Sequence, residues 1–88
     1  MELREFKAKY LAKLMQLKNM LIQKHPERSD RVEYIVNTLA TKLYNLRMFT
    51  LSDYLFTLYM ATKEFKEFEK LLPDEKEIDE LLEKEKKQ

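Results

Sequence analysis

Apolar residues recur along this chain at spacings of three and four, and polar positions fill the gaps. In the stretch from Thr50 to Leu72, Tyr54, Leu58, Ala61, Phe65, Phe68 and Leu72 form one seam. That rhythm follows the 3.6-residue turn of an α-helix and predicts a helix over residues 51–72. Thr50 with Asp53 three positions later matches a capping box, the hydroxyl and carboxylate each serving a free amide of the first turn. The first half of this helix carries more than a seam. Leu55, Phe56, Tyr59 and Met60 stand on its flanks and back, and a helix apolar on more than one face is either buried or paired. Upstream, Leu3, Phe6, Tyr10, Leu14, Leu17 and Leu21 predict a first helix over 2–24, closed by His25-Pro26 because proline excludes its predecessor from the α region. Leu11, Met15 and Ile22 fall on a second arc of that helix and call for a second neighbour. Val32, Ile35, Val36, Leu39, Leu43 and Leu46 predict a helix over 31–47, started by Ser29 or by the Asp30 and Glu33 pair. Pro73 opens a short charged helix over 74–87, whose apolar patch is Ile78, Leu81 and Leu82.

The expected fold is therefore all-α: a compact three-helix core with a short charged C-terminal helix, in one domain spanning 1–88. Residues 73–88 are expected to be loosely docked. Composition agrees with this pattern, since 44% of the 88 residues are hydrophobic, 38% are charged and none is glycine. The absence of cysteine removes disulfide scaffolds, cysteine-based zinc sites and thiol nucleophiles, and fits a reducing compartment. The first helix is studded with Lys and Arg and contains no h-region of a signal peptide. No segment approaches the length of a membrane span, so a soluble, cytoplasmic protein is expected. Abundant Lys and Glu without Cys, Trp or Gly follow a thermophile trend that small helical bundles from mesophiles share.

Charge is unevenly placed. Residues 1–31 hold eight bases and four acids, whereas residues 73–88 hold four bases and seven acids. A basic first end can serve nucleic acid through Lys9, Lys13, Lys18, Arg28 and Arg31, or it can lie against the acidic last end.

Catalytic and metal chemistry find little material. His25 is the sole histidine, and a metal site needs several ligands. Ser29 and Ser52 are the only serines, and both fall near helix starts. Glu64, Glu67 and Glu69 alternate with Lys63, Lys66 and Lys70, a spacing that predicts solvated pairs along one exposed helix face. No enzyme activity, cofactor or metal is expected. Among the tyrosines, Tyr10 and Tyr54 fall on core stripes, while Tyr34 and Tyr44 lie off the stripe of the second helix, where stacking on nucleic acid is one use.

The basic FKAKYLAKLMQLK helix, the paired YIVNTLATKLYNL and YLFTLYMATKEF segments and the charged end together resemble the small helical accessory subunits of archaeal DNA polymerase and CRISPR effector assemblies. The resemblance covers most of the chain as an architecture. It implies a subunit within a nucleic-acid-processing machine, and no functional residue is carried over from it. From the residues themselves, the leading expectation is a non-catalytic interaction module that binds a protein partner or a second copy. Its contacts would be Leu11, Met15, Ile22, Phe56, Tyr59 and Met60. Nucleic-acid binding through the basic first helix and the 25–31 turn is the alternative.

Overall fold

A computed structural model of the chain describes residues 2–86. It is an all-α bundle, and no strand occurs among the described residues. The helices are α1 (Leu3–Lys24), α2 (Ser29–Tyr44), α3 (Leu51–Glu64) and α4 (Glu75–Lys86), with short 3-10 segments at Pro26–Arg28, Met48–Thr50 and Lys66–Leu71. Lys87, at the predicted end of the last helix, lies outside the described residues.

α1 ends where the sequence requires it to. His25 leaves the helical region (φ −131°, ψ 65°) ahead of Pro26, and its N–H still donates to the Leu21 carbonyl. The chain then doubles back into α2, which packs along α1 and buries Val32, Ile35, Val36, Leu39 and Leu43. α2 begins and ends earlier than the predicted 31–47 range, because Asn45 closes the last turn through Thr41 and the chain then straightens. Leu46 is nevertheless fully buried, so its place on the apolar stripe outlasts the helix.

The third helix is the main correction to the sequence reading. A helix over 51–72 would place Leu72 on the buried seam, but α3 stops at Glu64 and Phe65 is extended (φ −133°, ψ 108°). Neither glycine nor proline sits at this break. What stabilises it is burial: Phe65, Phe68 and Leu71 are all in the core, and the 3-10 segment that follows has three residues per turn, which stacks them in one line. Leu71 thus takes the buried place that the α-helical rhythm assigns to Leu72.

Phe65 is also a corner at which the chain reverses. Just beyond it Glu67 meets Lys24 at the end of α1, Lys70 and Leu71 lie beside Lys13, Leu17 and Met20, and Glu77 reaches Lys9 and Tyr10. Residues 66–77 therefore run antiparallel to α1, and the fold is an up-down-up-down bundle whose fourth leg is a 3-10 segment continued by α4. The two corners at one end touch, with the His25 and Phe65 rings 5.6 Å apart and the Arg28 guanidinium 4.4 Å from the centre of the Phe65 ring.

α4 starts at Glu75, one residue after the predicted 74, because Asp74 stays outside the helix as its cap. Asp74 Oδ1 accepts the Glu77 N–H at 2.8 Å, and the Ile78 N–H bonds to the Asp74 carbonyl. Its docking is specific: Leu81 is buried in the common core while Leu82 is exposed. The other predicted caps have different uses. Thr50 Oγ1 bonds back to the Arg47 N–H and carbonyl, and Asp30 makes no cap hydrogen bond to α2. Among the described residues none has a positive φ and no peptide bond is cis.

Candidate protein-interaction face

α2 and α3 are stapled at both ends of their contact. Arg31 Nε and Nη2 donate to the Glu64 carboxylate at 2.6 and 2.9 Å, and Lys42 Nζ donates to Asp53 at 2.6 Å. The two staples stand three helical turns apart on both helices, which fixes the antiparallel register. Arg28 adds a third donor to Glu64. The Arg31 hydrogen bonds, with both guanidinium charges nearby, hold the Glu64 carboxyl below the usual range. At the same end the Lys24 hydrogen bond lowers Glu67. These glutamates were expected to pair with Lys63, Lys66 and Lys70 on their own helix. Instead the α2/α3 register gives Glu64 to Arg31, and the corner at Phe65 turns Glu67 toward Lys24 of α1.

Between the staples the surface is uncharged. α3 turns Tyr54, Leu58 and Ala61 into the core, and the opposite side of the helix holds Phe56 (64% exposed), Tyr59 (53%) and Met60 (46%). Phe56 and Met60 are one turn apart, and Tyr59 carries the Lys63 ammonium 5.2 Å from its ring centre. Beside Met60 an open groove of about 250 Å³ runs between the helices, lined by Tyr34, Ile35, Thr38, Thr57, Met60 and Ala61 and closed by Arg31 and Glu64. Tyr34, itself 63% exposed, extends the patch onto α2. A surface of this kind, apolar in the middle and charged at the rim, is suited to receiving another protein surface.

The other residues picked out from the sequence are placed differently. Leu11 and Ile22 are half-buried against the core, so of the second arc of α1 only Met15 is exposed. Among the basic residues, Lys9 is bound to Glu77 at 2.7 Å, and Arg28 and Arg31 are bound to Glu64. Lys13 sits 5.3 Å from the Tyr10 ring centre, and Lys18 is half-buried. The basic and acidic ends of the chain therefore do meet. Tyr10 donates to Glu77 at 2.7 Å, and burial together with that bond pushes its hydroxyl pKa up. Burial opposes ionisation of Glu77, but the Lys9 and Tyr10 hydrogen bonds outweigh it and hold the carboxyl below its usual range. The sequence offers nucleic-acid stacking as one use of Tyr34, and it gave no role to Phe49, the most exposed large apolar residue among the described residues. No group of three or more His, Asp or Glu able to hold a metal lies among the described residues, and no helix is long and apolar enough to cross a membrane. Comparison with protein-family models, with curated proteins and with solved structures gave no match to this chain.

Proposed function

We propose that this chain is a non-catalytic protein-interaction module that works as a small subunit of a larger assembly, and that its binding surface is the outer face of α3 with the adjoining groove. The observation that carries this reading is the solvent exposure of Phe56, Tyr59 and Met60 on a helix whose other side already supplies the core. Leaving three large apolar side chains together in water is unfavourable by about 25 cal/mol per Å² of apolar surface, and a partner that covers them recovers that energy. Participation in a nucleic-acid-processing complex, as the resemblance implies, is compatible with such a subunit. Direct contact with nucleic acid is the weaker reading, because Lys9, Arg28 and Arg31 are already engaged with carboxylates and the net charge is +1.

The test is a photo-crosslinking amino acid at Phe56, with the same probe at the exposed Ala12 on α1 as control, in cells that express the protein. The expected result is a discrete adduct from Phe56 and none from Ala12. Equal labelling from both positions, or none from Phe56, overturns the assignment of the face.

A further inference from the structure

Resting on the reading of the α3 face as a binding surface, we propose that its partner is a second copy of this chain, with α3 packed antiparallel on α3 across a two-fold axis close to Leu58. In a chain that is 38% charged, the nine residues from Tyr54 to Thr62 hold no charge, and they are bracketed by Asp53 and Lys63, both exposed. A two-fold interface requires a patch complementary to itself. A helix face with an acid at one end and a base at the other, equally far from its midpoint, meets that requirement when the two helices run antiparallel. Asp53 of each copy then faces Lys63 of the other.

The rotation that matches the charges also matches the apolar residues. Phe56 and Met60 lie equally far from the same midpoint, so each Phe56 meets the Met60 of the second copy, an aromatic ring on a thioether. Beside Met60 is the groove lined by Tyr34, Thr38 and Thr57, and it receives that ring as a pocket receives an anchor. Lys42 occupies Oδ2 of Asp53, and a carboxylate accepts more than one donor, so the staple to α2 persists in the dimer. Lys63, resting on Tyr59, is already at the rim. A polyanion has no counterpart in the uncharged centre, and a partner helix of one charge sign would match one end and repel the other. α3 has 14 residues and is therefore about 21 Å long. An interface confined to that length is small beside the roughly 800 Å² per partner of stable complexes, so the dimer belongs to the weak, concentration-dependent class.

Sedimentation of the purified full chain over about 1 to 500 µM, a range that reaches weak association, reads the proposal. The expected mass rises with concentration from the monomer's 10.8 kDa toward twice that value. Lys63→Glu sets Glu against Asp53 and should weaken association about tenfold or more, since two attractive rim pairs become repulsive. Asp53→Lys should do the same by setting Lys against Lys63, and mixing the two variants should restore a heterodimer of near wild-type affinity. Circular dichroism melts confirm that each variant is folded. Lys63→Glu carries the test alone if losing the Lys42 staple unfolds the other. A chain that stays monomeric throughout, or a dimer indifferent to Lys63→Glu, overturns the proposal. Failure here is separable from failure of the interaction reading: a Phe56 adduct to a different polypeptide overturns the dimer and keeps the binding face, whereas no adduct and no dimer overturn both.

Discussion

Two neighbouring leucines give the sharpest test of the fold. Leu71 is 2% exposed and Leu72 is 41% exposed, an assignment made by the extended residue at Phe65 and the 3-10 segment behind it. Truncating Leu71 to alanine removes a fully buried side chain between α1 and the fourth leg. The transfer energy of the lost methyl groups and the cavity left behind sum to about 2 to 5 kcal/mol. Leu72 is only partly covered, so its truncation loses a fraction of the transfer term and opens no cavity, about 1 kcal/mol or less. In a domain of this size 1 kcal/mol shifts Tm by about 4 to 8 °C. Leu71→Ala should therefore lower Tm by roughly 10 °C or more, and Leu72→Ala by no more than about 8 °C. Thermal melts at 222 nm give the shifts, and urea titrations with an unchanged slope verify that stability rather than compactness has changed. A larger loss from Leu72→Ala would mean that α3 runs on through Phe65 and that the corner does not exist.

Leu81→Ala should cost about 2 to 4 kcal/mol, because Leu81 is buried in the common core, and it checks by chemical denaturation that α4 is docked. Acid should destabilise the protein in a defined window. Glu64, Glu67 and Glu77 have lowered folded-state pKa values, so the stability they contribute is present above the unfolded value of 4.5 and is lost as pH falls through the folded values. Glu64→Gln should flatten the fall of Tm below about pH 5, and an unchanged profile would refute the role of that staple. Duplex and single-stranded DNA titrated with the isolated chain at about 150 mM salt should show no sub-micromolar binding, and tight, salt-sensitive binding would reverse the order of the two functional readings.

How far the sequence could be read depended on whether a signal was local. α1 was legible to within a residue because its stripe is long and His25-Pro26 stops it. The outward placement of Phe56, Tyr59 and Met60 followed from the angular positions of residues on one helix, and nothing distant overrides that. The end of α3 was not legible: Phe65 and Phe68 are three apart, a spacing that serves a 3-10 helix as well as an α-helix, and no glycine or proline marks the break. Glu64 and Glu67 were assigned to neighbours one turn away because spacing is all a sequence shows, whereas Arg31 is brought to Glu64 by the packing of α2 on α3 and Lys24 to Glu67 by the corner at Phe65. Caps misled in the same way. Asp53 has the position of a capping residue, but across α2 it finds Lys42, a full charge, and it takes the stronger partner.

The negative φ of every described residue has an evolutionary consequence. Connections in helical proteins commonly rely on a left-handed residue, and that need pins glycine or asparagine to the spot. Here the bends at Arg47 and Phe65 use extended backbone open to any L-amino acid, and the one at His25 is set by the proline after it, so no side chain is obligatory at Arg47 or Phe65 on conformational grounds. At those two bends a substitution is limited by the contacts of the side chain and not by backbone strain. The lack of glycine also narrows the unfolded ensemble, so a core this small has less chain entropy to overcome.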